Sequence, residues 1–339
     1  MWRQTNLVLL PSSSGMPEAA AGAGPFVWAV DVSQWNCAPY TQLDTARGAG
    51  CPAPGMAQFE QDVDALLLPH DPEAAAKVRR YLRPIDRVRS LVARLLPRIM
   101  YLSEGGATSC AWSDLRFAEE PEGKRPYLAA PKDLASIDYN LSHDGDWVVL
   151  AFTRSPSVRV GVDVMEISLP RYEESSASFC RTMELAMTRA ERDWMLSAND
   201  DAVTLSRLYD VWTYKEAFTK AIGKGLGFDF TSVEVAFWEE EQGGPRLRIQ
   251  NIPETRYAFT RISIPSGAMR QSQSAPGSRI VVAAGPNAAA GDHSVPLEAE
   301  EAKAKGILHM WSFDEVLRTS KALAPVSYTH LTLPTICSV

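Results

Sequence analysis

The sequence has no apolar run approaching the ~18 residues that a membrane-spanning helix requires, so no helical anchor is expected. Its opening residues, MWRQTNLVLLPSSSG, contain only the stretch LVLL, too short for the core of a secretory leader. Cysteine is sparse and irregular. The five residues Cys37, Cys51, Cys110, Cys180 and Cys337 show no C-x-x-C spacing and no even count, which argues against a zinc ribbon and a disulfide framework. A reducing, cytoplasmic setting is expected. Positive charge is also short, with 34 Lys and Arg against 41 Asp and Glu and a net charge of −7. Such a balance gives no general attraction to nucleic acid or to an anionic membrane, although a local basic patch can still hold a phosphate. The partner expected is a small molecule or a protein.

What is present is ordinary globular material. At 339 residues, 45% hydrophobic and 22% charged, the chain can bury one generous core or two modest ones. Residues 1–25 are read as a flexible lead-in, rich in Ser, Gly, Ala and Pro from position 11. The apolar run 26–35 reads as a strand, 36–54 as a loop insertion, and 73–100 as helical with an interruption at Pro84. The stretches 147–152 and 158–164 are β-rich and joined by TRSPS, which reads as a hairpin. A mostly helical region, 172–222, precedes strands at 232–238, 246–249, 257–264 and 280–284. Helices and strands fall in blocks, so the expected fold class is α+β. A low-complexity insert spans about 267–305, read as a long hairpin loop (267–278) and a disordered linker (285–305). The last residues, 326–339 (VSYTHLTLPTICSV), resemble a translated sequencing-library adapter and are read as non-native.

Three segments place polar groups where apolar ones are expected. In VWTYKEAFTKAIGKG, a helical period puts Leu205, Leu208, Tyr209, Trp212 and Glu216 on one stripe, with Lys215 inside the same broad arc. Burying such charges is costly unless they are paired or bound to a metal. The plain alternative is a surface pair of Glu216 with Lys220, worth a few tenths of a kcal/mol. In VGVDV, Asp163 interrupts an apolar strand, as a ligand or as a strand-ending turn residue. Met165 would share its face, and Glu166 would point away. In YNLSHDGDWVVLAF, Asn140, Ser142 and His143 precede a buried strand, either facing a phosphate or forming a polar, solvated turn.

Taken together and in this order, GKRP, YNLSHDGDWVV, VGVDV and WTYKEAFTKAIGKGLG resemble the 4′-phosphopantetheinyl transferases. The resemblance is to the long, monomeric type that activates fatty acid, polyketide and peptide synthases and aminoadipate reductase. It extends from about residue 26 to 317 and includes a closing WSFDEVL piece. It implies two similar α+β halves, 26–155 and 156–325, in a pseudo-twofold relation with the active site between them. It also implies transfer of the phosphopantetheine arm of coenzyme A to a serine of an apo acyl or peptidyl carrier protein, releasing adenosine 3′,5′-bisphosphate. By the same resemblance Asp163 and Glu216 bind Mg²⁺, Glu216 or a water accepts the serine proton, and Lys215 and Lys220 meet the phosphates. Lys220 is the choice for assisting departure of the bisphosphate. Ser142 and His143 match the pair that contacts coenzyme A phosphates, and Lys124 the basic residue near the adenine. The segment 77–89 matches a basic segment directed at the 3′-phosphate, with Lys77, Arg83 and Arg89 as candidates beside Arg79 and Arg80. The departures are Met165, where many bacterial members carry an acid, and the extra Arg125, which leaves Lys124 and Arg125 both open as the contact. A module that binds coenzyme A or a carrier protein without catalysis is the alternative. A P-loop enzyme is not supported, because GKGLG follows a helix and lacks the spaced glycine before it.

Overall fold

The protein is described by a computed structural model covering residues 25–33, 35, 54–104, 110–123, 125–224, 227–237, 245–267, 277–286 and 296–324. The lead-in before residue 25, most of the loop 36–54, and the 326–339 tail lie outside the described residues. Strand β1 (Phe26–Asp31) is followed by helices α1 (Pro54–Leu66), α2 (Pro72–Arg79) and α3 (Pro84–Glu104). Proline suits the first turn of a helix, where the N–H it lacks would have no helical partner. The interruption expected at Pro84 is therefore the start of α3. Strands β2 (Arg116–Glu119) and β3 (Pro126–Ala130) form a small hairpin, and β4 (Asp138–Asp144), β5 (Trp147–Thr153) and β6 (Arg159–Glu166) follow. Helices α4 (Ser176–Thr182), α5 (Arg189–Leu196) and α6 (Asp201–Ala221) are each opened by a capping side chain, from Ser175, Thr188 and Asp200 respectively. The chain continues through β7 (Val233–Ala236), β8 (Arg246–Ile249), β9 (Ile252–Pro253), β10 (Ala258–Ile264), β11 (Ser278–Gly285) and β12 (Leu297–Glu298). It closes with α7 (Ala299–Ala304), β13 (Leu308–Ser312) and α8 (Phe313–Leu323). The fold is α+β.

Two four-stranded sheets carry the structure, in the orders β13-β1-β5-β4 and β12-β10-β11-β6. Both are apolar on both faces, and the alternation of each strand assigns its side chains to different layers. Phe26, Trp28, Val30, Val148, Leu150 and Phe152 pack under α1–α3 and α8. Val27, Ala29, Val149 and Ala151 turn the other way and meet Val160, Val162, Val164, Ile280 and Val282 of the second sheet. On that sheet's far face Val281, Ala283 and Phe259 pack against α6. The order of layers is thus helices, sheet, sheet, helices. Each fully buried valine or isoleucine of the central layer contributes about 1.5–3 kcal/mol, which makes the sheet-to-sheet contact a principal source of cohesion. The C-terminal β13 pairs in parallel with β1, so the chain returns to the first sheet at its end.

Two expectations need correction. Strands β5 and β6 are not a hairpin: β5 pairs with β1 and β4, whereas β6 pairs with β11, and the TRSPS segment crosses from one sheet to the other. Two consecutive strands buried on both faces read alike in sequence whether they share a sheet or lie in stacked ones. Part of the stretch 285–305 is ordered: β12 joins β10, and α7 buries Ala299 and Ala302 in the inter-sheet layer. Helix α6 buries a broad arc, with Thr213, Tyr214, Lys215, Ala217, Phe218 and Thr219 buried along with Glu216.

Candidate active site

The site is assembled where α6 crosses β6. On the face of β6 that meets α6, alternate positions are Gly161, Asp163 and Met165. A Cβ on Gly161 would lie 2.1 Å from the Ala217 carbonyl oxygen and 2.3 Å from the Ala221 nitrogen. Only glycine allows the helix backbone to rest directly on the strand there. That close approach sets Glu216 and Lys220, one turn apart on α6, beside Asp163. Lys220 Nζ donates to Asp163 Oδ1 at 2.7 Å and to Ser142 Oγ at 3.1 Å. Ser142 Oγ in turn donates to Asp163 Oδ1 at 2.9 Å. The surface pairing of Glu216 with Lys220 is thereby replaced: the ammonium turns to Asp163, and both carboxylates are buried, at 4% exposure for Asp163 and 6% for Glu216.

Ser142 reaches Asp163 because β4 is a strand and not the polar turn that its composition also allowed. Its alternate side chains run along the edge of β6 and satisfy backbone N–H groups that the neighbouring β11 does not: Asp138 accepts from Val160 N at 2.7 Å, Asn140 from Val162 N at 3.0 Å, Ser142 from Val164 N at 3.3 Å and Asp144 from Glu166 N at 2.8 Å. A side-chain ladder so joins the edge strands of the two sheets, meeting the requirement that buried N–H groups be paired. The strand also runs past Asp163 to Glu166, so the aspartate lies within β6 and does not end it. Glu166 stays on the opposite face, and Met165 packs against the apolar cluster around α6.

The electrostatics follow from this burial. Burial raises the Asp163 carboxyl, opposed by Lys220 and Ser142, and Asp163 Oδ2 is buried with no hydrogen-bond partner. Burial pushes Glu216 up to about 7, with Lys220 opposing and Asp163 adding. Its carboxylate takes no hydrogen bond from the described residues. Asp163 Oδ2 and Glu216 are two hard oxygen ligands short of a donor, a set that suits a hard divalent cation completed by water and phosphate oxygens. No group of three or more His, Cys, Asp or Glu side chains able to hold a metal occurs among the described residues, so the pair would need those other ligands.

The remaining predicted residues divide. Arg89 comes to the site's edge, ion-paired with Asp86 at 2.9 Å and donating to the Gly145 carbonyl in the β4–β5 turn. His143 lies nearby with its side chain exposed; desolvation by the surrounding protein and the charges of Arg89 and Lys220 hold its imidazole below the usual range. Lys77 is elsewhere: it pairs with Glu73 and Glu119 and lines a 540 Å³ cavity with Arg94, Phe117, Tyr139 and Leu141. Arg83 is exposed, Arg79 pairs with Glu60 and Asp64, and Lys124 lies outside the described residues. Lys215 does not reach the cleft. Fully buried, its ammonium meets Glu191 at 2.6 Å and the carbonyls of Ala186 and Phe230 at 2.9 Å each. All three N–H donors are used, so the expectation that Lys215 meets phosphates is corrected to an internal ion pair. Glu191 was missed in the sequence because it reads as an ordinary helix-start acid.

The profile of a family described as 4′-phosphopantetheinyl transferase, N-terminal, matches residues 53–155, and that of the 4′-phosphopantetheinyl transferase superfamily matches 159–265. The chain belongs to the 4′-phosphopantetheinyl transferase superfamily. The two matches meet between β5 and β6, so Ser142 and Asp163 come from different matched segments. Among curated relatives of this superfamily, the 4′-phosphopantetheinyl transferase pptA of Paxillus involutus is 33% identical over 178 residues, 50% of this chain and 66% of that protein. The L-aminoadipate-semialdehyde dehydrogenase-phosphopantetheinyl transferase of Mus musculus is 32% identical over 165 residues, 48% of this chain and 51% of its own length. The 4′-phosphopantetheinyl transferase Sfp of Bacillus subtilis is 29% identical over 171 residues, 50% of this chain and 68% of its own length. The chain thus spans between about half and two thirds of the length of these relatives.

Proposed function

We propose that this protein transfers the 4′-phosphopantetheine arm of coenzyme A to a serine of apo acyl or peptidyl carrier proteins, leaving adenosine 3′,5′-bisphosphate. The observation that carries the reading is the buried pair of Asp163, with Oδ2 unpartnered, and Glu216, with Lys220 alongside. Two acids placed together at such cost need a cation and an anionic substrate to justify them. Mg²⁺, held by Asp163 and Glu216 with water and the substrate pyrophosphate, would supply neutralisation of the charge that develops on the phosphates.

The chain's own groups supply the rest. Glu216, with a carboxyl near 7, is poised to take the proton of the attacking serine, directly or through a water. Lys220 gives its ammonium to the leaving bisphosphate, exchanging part of its contact with Asp163 for the phosphate oxygen. Ser142, His143 and Arg89 line the approach and orient the phosphates. The adenosine end is assigned to the side of α2 and α3, where Arg94 opens on the cavity shared with Lys77 and, among the described residues, has no acidic partner. The reading includes a cytoplasmic monomer with the halves 26–155 and 156–325 flanking the cleft. Incubation with coenzyme A, Mg²⁺ and several apo carrier proteins tests it: mass spectrometry should find the arm on a carrier serine. Carriers left unmodified across all types would overturn it.

A further inference from the structure

The β2–β3 hairpin grips the end of α6 in a way the transfer reading does not require. Arg125, in the turn just before β3, is 4% exposed, and both terminal nitrogens donate to protein. Nη1 donates to the Lys220 carbonyl at 2.6 Å. Nη2 donates to the Val160 carbonyl at 2.7 Å, to Asp138 Oδ2 at 2.5 Å and, more weakly, to the Tyr139 carbonyl at 3.2 Å. One guanidinium therefore links β4, β6 and the last turn of α6. The tip of the hairpin fits the same place: a Cβ on Gly123, at φ +71°, would lie 1.8 Å from the Gly223 carbonyl oxygen. Glu120 adds an ion pair to Arg159 at 2.7 Å.

The Lys220 carbonyl, at the end of the helix, accepts from the Gly223 N–H at 3.1 Å, and a planar fork that adds a second donor there while pairing with a carboxylate fixes the helix end in direction as well as distance. Lys220 carries both the carbonyl that Arg125 holds and the ammonium that meets Asp163. Val160 lies three residues before Asp163 on β6, so the same fork ties the strand that bears the acid. At 4% exposure and with four protein acceptors around it, this guanidinium is turned into the protein and away from a ligand phosphate. We propose that Arg125 is a positioning residue: it acts through the Lys220 and Val160 carbonyls to set the distance between Lys220 and Asp163, and it does not contact the substrate. The kinetic part of this inference rests on the transfer reading; the structural part does not.

The test compares Arg125→Met and Arg125→Lys in the full chain, with kcat and KM for coenzyme A in the carrier assay and amide exchange over residues 219–224. Methionine keeps the stem and removes the fork; lysine restores charge but cannot bridge Lys220 and Val160 together. The expected result for Arg125→Met is a fall in kcat of about tenfold or more, as misplacement of a reacting group produces. KM for coenzyme A should move by less than about threefold. Amide exchange over 219–224 should speed up about tenfold or more through local opening. Arg125→Lys should fall between this variant and the parent. A raised KM with kcat and exchange unchanged would make Arg125 a ligand contact and overturn the proposal. A lower melting temperature with kcat per folded molecule unchanged would reduce it to a structural residue and overturn it as well. If Arg125→Met does not fold, Asp138→Asn, which weakens the hold on Nη2, should give the same changes at smaller size, and unchanged kcat and exchange there would overturn it. If the parent itself transfers nothing, the functional reading fails while the exchange measurement still decides the clasp.

Discussion

Replacing Gly161 by alanine tests the contact on which the whole site depends. The added methyl would lie 2.1 Å from Ala217 O, 2.3 Å from Ala221 N and 2.9 Å from Ala221 Cα, where separations under 3.0 Å are essentially never found. All three atoms are helix backbone, so no side chain can swing aside, and α6 must withdraw by about 1 Å. Overpacking of this kind costs about 1–3 kcal/mol of stability. The same displacement lengthens the 2.7 Å contact of Lys220 with Asp163 beyond hydrogen-bonding range and separates Glu216 from its partner acid. A misplacement of about 1 Å at reacting groups lowers turnover by roughly 10²-fold. Thermal unfolding and the carrier-modification assay, run side by side, measure the two effects. Ala217→Gly should not rescue the variant, because the clash is with a carbonyl oxygen. Gly227→Ala, where a Cβ would meet nothing within 4 Å, is the neutral control. A Gly161→Ala protein with parental melting temperature and parental turnover would refute the direct helix-on-strand contact and the geometry built on it.

Other outcomes follow from the same structure. Glu216→Gln should abolish transfer while coenzyme A still binds, as isothermal titration can check; unchanged turnover would remove Glu216 from the chemistry. Lys215→Met should destabilise the fold by about 3–5 kcal/mol by leaving the Glu191 charge buried without its cation, and Glu191→Gln in the same chain, which keeps an acceptor for the Val235 N–H, should recover part of it. If Lys215 touched phosphate, the double variant would bind coenzyme A poorly despite the stability regained. Without divalent cations, the raised Glu216 carboxyl makes the native state hold a proton that the unfolded chain has already released. Stability from this group is present below about 4.5 and is lost as pH rises to about 7, an effect on the order of 3 kcal/mol. Chemical denaturation across that range should show the slope in the parent and its loss in Glu216→Gln, and Mg²⁺ should flatten it.

Much of this was legible in the sequence because it is local. The strands β1, β5, β6, β10 and β11 announce themselves as apolar runs, and the helical regions by their pattern of apolar and charged residues. Asp163 and Glu216 stood out as acids in apolar company, since the cost of burying charge is a property of the residue and its immediate neighbours. Partnership is not local. Whether β5 and β6 pair or stack, which of Lys215 and Lys220 faces the acids, and that Arg125 holds a helix end depend on contacts across 14 to 95 positions of chain. Lys215 and Lys220 are equally basic in sequence; only the rotation of α6 against Gly161 sends one to Glu191 and the other to Asp163. Sequence thus determined which residues had to find a partner, because desolvation acts on each group where it stands. The tertiary structure decided which partner each one found, because that depends on how closely two backbones can approach.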